Sequence, residues 1–193
     1  TTLTSTLALS FDITIDYVAS DHSMVVSEDG LPCLPTKTLD QVRIEEYSCV
    51  ILPGVVNIGP ALQDEKLISF LKGIDEQDVL IAAISSAPLL LAKAGLLNDT
   101  KFTGGIWQNF FYYFEFLPRE NFKAKAVLQD KNIITAIGFA HLEFARKVIL
   151  GLGLAENTDN YFKEQNEYAE EDLIFTLSDK EFDEVKQSIE NTL

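Results

Sequence analysis

A chain of 193 residues, 47% hydrophobic and 23% charged, is long enough for one domain with a sizeable core. Its net charge of −15 would repel a nucleic-acid backbone, and no apolar run approaches the ~20 residues of a membrane span, so neither partner is expected. With only two cysteines and two histidines, and no signal-peptide pattern, the reading is a reduced, cytoplasmic protein with no metal and no cofactor.

Leucines at 3, 7 and 9 suit a short amphipathic helix over Thr2 to Phe11. Alternation from Ile13 to Ala19 predicts a strand, and Ser23 to Val26 a second. Glu28-Asp29-Gly30 reads as a turn leading into Leu31 to Pro35. Ser48 to Leu52 is a buried strand ending at Pro53-Gly54, and Pro60 opens a helix with Leu67, Phe70, Leu71 and Ile74 on its inner face. Cys33 and Cys49 fall in these strands and read as buried and inert.

The most informative stretch runs from Asp78 to Gly95. An apolar strand turns sharply on Ser85-Ser86-Ala87 and continues through Pro88 into a helix. Such a turn lifts its apex side chain above a sheet and aims it at a helix N-terminus, as nucleophile elbows do. Lys123 to Leu128 and Asn132 to Ala136 read as a hairpin closed by Gln129-Asp130-Lys131, and Leu142 to Leu150 as a helix with Gly151 as C-cap. A polar helical stretch, an apolar run from Leu173 to Leu177 and a final helix capped by Ser178 with Glu181 follow. From Glu156 onward the chain has twelve acidic residues and three lysines, a local net charge of −9 that reads as a solvated surface. Strands alternating with helices predict an α/β sandwich with a mostly parallel sheet.

Three stretches carry a family likeness: Thr14 to Leu39, Cys49-Val50-Ile51-Leu52-Pro53-Gly54, and Ile81 to Gly95 continuing through Phe102-Thr103-Gly104. In order and spacing they resemble the ThiJ/PfpI superfamily, of the class I glutamine-amidotransferase-like type, and Asn132 to Phe144 resembles that family's penultimate strand and last core helix. The resemblance implies a flavodoxin-like three-layer α/β/α sandwich over residues 1–154, with 155–193 as an acidic helical extension packed on the same domain. It implies a homodimer, as in much of the family. It also implies a first strand bearing an acid ahead of the Thr2 to Phe11 helix. The chain opens within that helix and shows no such strand ahead of it, so either a segment bearing the strand and its acid precedes Thr1 or another, such as 173–177, fills its place.

The family pattern places a cysteine where Ser85 stands, and many members have a histidine where this chain reads Thr103-Gly104-Gly105-Ile106. A helix N-terminus depresses a thiol pKa enough to populate the thiolate, but a serine hydroxyl needs an adjacent general base. His141 is the one histidine placed to serve, with Glu143 or a preceding N-terminal acid as its orienter; otherwise it caps a helix or lines a groove. The resemblance assigns an oxyanion hole to the N–H groups of Val55 and Ser86 beside Gly54. Trp107 and Phe110, in an aromatic run reaching Phe116, either wall a pocket over Ser85, bury a dimer contact or pack the core. The expected function is a protease- or amidase-like hydrolase acting on a small carbonyl or amide substrate. The alternatives are a degenerate, non-catalytic member that binds a small anionic or carbonyl ligand or acts in stress response, and a serine engineered in place of cysteine.

Overall fold

The computed structural model describes residues 2–74, 79–159, 161–162, 178–180, 183 and 187. The chain divides into two compact units, Thr1–Phe162 and Lys163–Leu193. The first opens with helix α1 (Thr2–Phe11), followed by four two-residue strands, β1 (Val18–Ala19), β2 (Val25–Val26), β3 (Pro32–Cys33) and β4 (Lys37–Thr38). Then come β5 (Cys49–Leu52), α2 (Gly59–Gln63), α3 (Glu65–Lys72), β6 (Leu80–Ile84), α4 (Pro88–Lys93) and α5 (Phe110–Tyr113). The hairpin β7 (Val127–Asp130) and β8 (Ile133–Ala136) leads into α6 (His141–Gly151).

The main sheet has the order β5-β6-β8-β7, with the first three strands parallel and β7 antiparallel at one edge. β6 lies in its interior, and four of its five residues are buried. Such a strand must be apolar on both faces, and Leu80-Ile81-Ala82-Ala83-Ile84 is. Its alternation sorts the core into two layers. Ile81 and Ala83 join Leu62, Ile68, Leu71, Leu90 and Leu91, contributed by α2, α3 and α4. Leu80 and Ala82 join Phe144 and Val148 of α6, with Leu3 of α1 against them. Helices on both faces of a mostly parallel sheet make the flavodoxin-like α/β/α sandwich. Among the described residues no strand pairs with the outer edge of β5, and β1 and β4 form a parallel pair of their own. Residues 173–177, the alternative occupant of that edge, and most of the final helix expected after Ser178 lie outside the described residues.

Several local expectations are corrected. The strand expected over 13–19 shrinks to Val18–Ala19, because only there does β4 offer backbone partners. The helix expected from Pro60 onward breaks at Asp64, whose carboxylate accepts from Leu67 N at 3.1 Å and starts α3 afresh. The β7–β8 turn is Lys131-Asn132, with Lys131 in the left-handed region at φ 52°, so Gln129 and Asp130 stay in the ladder. Gly151 is inside α6 rather than capping it. A methyl there would lie 3.1 Å from Leu80 Cδ2 and 3.2 Å from Ile134 Cδ1, so its smallness serves helix–sheet packing. The left-handed residue past the helix is Gly153, at φ 66°. Cys33 is exposed on the β2–β3 hairpin rather than buried. Cys49 is half-buried, and desolvation pushes its thiol up to about 12.

Candidate functional site

In a parallel sheet the crevice beyond the carboxyl ends of the strands is where ligands bind. Here the register brings three such ends level: Leu52 of β5 pairs with Ala83, and Ile84 pairs with Ala136 of β8. The next residues are Pro53-Gly54 after β5, Ser85 after β6 and Ile137-Gly138 after β8. Ser85 is therefore the apex of the turn into α4, as the sequence predicts.

Its backbone is left-handed, at φ 64°, a conformation that costs a residue with a Cβ about 1–2 kcal/mol. Two strong hydrogen bonds hold it there. Ser85 N donates to Ala136 O at 2.8 Å, and Gly105 N donates to Ser85 O at 2.7 Å. Ser85 is half-buried, and its hydroxyl makes no hydrogen bond to any described residue.

Glycines surround that hydroxyl. A methyl on Gly54 would lie 2.3 Å from Ser85 Cβ, so no side chain fits at that position. A methyl on Gly138 would lie 3.2 Å from Ser85 Oγ, and one on Gly105 3.4 Å from it. Gly104 packs as closely, 3.1 Å from Ser85 O by the same construction. The result is a small niche over one hydroxyl, walled by backbone from three loops. Gly104, Gly105 and Gly138 were not among the residues sequence reasoning put at the site. Their signal was a Gly-Gly pair and a lone glycine past a strand, and neither says which turn it faces.

The expected oxyanion hole is only half open. Val55 N donates to Ser86 Oγ at 3.0 Å, while the same hydroxyl donates to Val55 O at 2.6 Å. Val55 N–H is thus occupied, whereas Ser86 N–H has no hydrogen-bond partner among the described residues. The next amide along, Val56 N, donates to the Glu28 carboxylate, which ties the loop after β5 to the turn between β2 and β3.

His141 is the first residue of α6 and is exposed, as is Glu143. Among the described residues neither side chain makes a hydrogen bond or ion pair, so the structure does not join His141 to Ser85 or to Glu143. The helix that follows the elbow is also short, six residues with Pro88 at its first position. Trp107 is 67% exposed and Phe110 half-buried, their rings 5.9 Å apart. Phe111, Phe114 and Phe116 pack on the core instead, so the aromatic run divides its roles. A surface cavity of about 390 Å³ lies among Ile106, Phe111, Tyr112 and Phe122 and does not include Ser85. No cluster of three or more metal-ligating side chains occurs among the described residues.

The DJ-1/PfpI family pattern matches residues 1–150. The chain belongs to the DJ-1/PfpI family. It is 38% identical over 89 residues to a Bacillus subtilis protein named "Uncharacterized protease YdeA", over 45% of this chain and 44% of that one. It is 28% identical over 137 residues to an isonitrile hydratase of Pseudomonas putida, over 69% of this chain and 57% of that one. The chain thus spans about half the length of these relatives. Its fold superposes with a TM-score of 0.71 on the DJ-1 superfamily protein Atu0886 of Agrobacterium tumefaciens, at 23% identity over 79% of this chain and 81% of that one. No helix among the described residues is long and apolar enough to cross a membrane.

Proposed function

We propose that this protein is a small-molecule-binding member of the DJ-1/PfpI family. Its ligand presents a carbonyl or amide oxygen to Ser85 Oγ and Ser86 N–H, and Ser85 stands where the family pattern has its cysteine. The observation that carries this reading is a half-buried hydroxyl with no hydrogen-bond partner among the described residues, held in a glycine-walled niche by a backbone strained to keep it there. Strain of this kind persists where the surrounding structure enforces it, and it concentrates at binding and catalytic sites. The niche admits a polar atom and little else. The test is thermal: small aldehydes and amides raise the melting temperature of the parent protein and leave Gly138→Ala unmoved, because its added methyl fills the niche. Equal stabilisation of both proteins places the ligand elsewhere and refutes the reading.

A second reading, hydrolysis of a small carbonyl or amide substrate, is supported by the left-handed elbow itself and by a relative named as a protease. It requires Ser85 to attack, His141 to swing in and take the proton, and the Ser86 hydroxyl to release Val55 N–H for the oxyanion. A serine-directed covalent probe that labels Ser85, and labels His141→Ala far less, establishes it. No labelling, together with no thiol activation in Ser85→Cys, removes it. The assembly we propose is a homodimer. Its support is the β2–β3 hairpin, whose Met24, Val25, Val26, Leu31 and Leu34 are all at least half exposed. Sedimentation of Val25→Glu as a monomer, against a dimeric parent, checks it.

A further inference from the structure

The three loops that wall the Ser85 niche share a second feature. Each carries a large apolar side chain one or two residues beyond the glycine that touches Ser85. Val56 follows Gly54 by two residues and is 76% exposed. Trp107 follows Gly105 by two and is 67% exposed, and Phe139 follows Gly138 directly and is 86% exposed. Segments 53–58, 104–108 and 137–140 contain no Asp, Glu, Lys or Arg. Exposing a large apolar side chain to water forgoes the burial that normally fixes its place, and here two loops expose an aromatic ring and a third a branched alkyl group, each within two residues of a glycine on Ser85.

We propose that the ligand of the Ser85 niche carries an uncharged apolar arm, aryl or branched alkyl, next to its carbonyl or amide, and that Val56, Trp107 and Phe139 receive that arm. The inference rests on the niche being the binding site. Size and charge then divide the ligand into two parts. The glycine walls accept only a small polar head, so anything larger projects outward onto the rim. These three segments offer dispersion and burial but no lysine or arginine. The Glu28 carboxylate on Val56 N places a negative group at its edge, in a chain of net charge −15, so an anionic arm is repelled. A free carboxylate or phosphate ester is a poor occupant, and a neutral aryl amide or aryl aldehyde a good one.

Trp107 is the only tryptophan in the chain, so its fluorescence reports the rim directly. The experiment titrates benzamide, acetamide and benzoate against the parent, Phe139→Ala and Gly138→Ala, with calorimetry for acetamide. Benzamide is expected to change Trp107 emission saturably and to bind at least about tenfold tighter than acetamide, since a phenyl group buries far more apolar surface than a methyl. Benzoate is expected to leave the emission unchanged. Phe139→Ala should weaken benzamide by about two- to tenfold. Gly138→Ala should abolish its binding. Acetamide binding as tightly as benzamide, with both lost in Gly138→Ala, overturns the apolar arm and leaves the niche standing. Benzamide binding unchanged in Gly138→Ala overturns the niche and the proposal with it, as does no response to any compound. A shift of Phe139→Ala to a smaller sedimenting species, with no benzamide response in the parent, also overturns the proposal and assigns the rim to contact between two copies.

Discussion

Replacing Gly54 with alanine tests the packing on which the site depends. Gly54 does not have a positive φ, so alanine carries no backbone penalty there, and the whole effect is steric. The new methyl would stand 2.3 Å from Ser85 Cβ, 2.8 Å from Ile84 O and 3.0 Å from Ser85 Oγ. Two of these neighbours are a backbone oxygen and a Cβ, which cannot rotate away. Relief must come from separating the ends of β5 and β6, which are fixed by the pairing of Leu52 with Ala83. Overpacking of this severity costs about 2–3 kcal/mol. For a domain of this size that lowers the melting temperature by about 4–12 °C. Gly30→Ala is the matched control: nothing lies within 4 Å of its added methyl, but its φ is +89°, so its loss of about 1 kcal/mol is conformational alone. Thermal unfolding by circular dichroism reads both variants. A Gly54→Ala protein that melts within a degree of the parent would mean the β5 loop does not press on Ser85, and the niche would lose its floor.

Three further outcomes follow from the same structure. Ser85→Gly relieves the left-handed backbone and is expected to stabilise the fold by about 1 kcal/mol, read by denaturant unfolding, while removing the hydroxyl from the niche. A native thiol titration near neutral pH should count one reactive cysteine, Cys33, and a denatured one two. Because burial raises the Cys49 thiol above its ordinary 9.0 to about 12, its contribution to stability is full below pH 9 and fades as pH rises through 12. Alkaline unfolding of Cys49→Val should lack that component, and a Cys49 that reacts rapidly in the native protein contradicts the assignment. Hydrogen bonds from Tyr47 at 2.7 Å and then from Lys37 hold Asp16 below its ordinary 3.8, so its contribution is present above pH 3.8 and lost as pH falls through the folded value. Tyr47→Phe is therefore expected to lower stability at pH 7 and to make little difference once the pH is below the folded Asp16 value, which paired acid titrations would show.

The elbow was legible because its signals are local. An apolar run, small residues at the bend and a proline where a helix starts are consequences of buried strand, tight turn and missing donor that any chain must obey. The same holds for β5 ending at Pro53-Gly54 and for α6. The short strands before residue 40 were drawn too long because strand length is decided by which backbone partners exist, and those partners are distant in sequence. The break at Asp64 and the turn at Lys131-Asn132 were missed for a related reason. Either segment could have continued, and only the capping bond to Leu67 and the β7–β8 register settle where each stops.

The sequence by itself determined that this chain folds as a layered α/β protein with a serine at the apex of an elbow, because hydrophobic period and turn chemistry are written residue by residue. The tertiary structure alone decided what surrounds that serine: glycines from three loops, a neighbouring hydroxyl that takes the Val55 amide, and a histidine left in solvent. Those are relations between strand ends, and they exist only after parallel pairing has brought residues 54, 85 and 138 to one level.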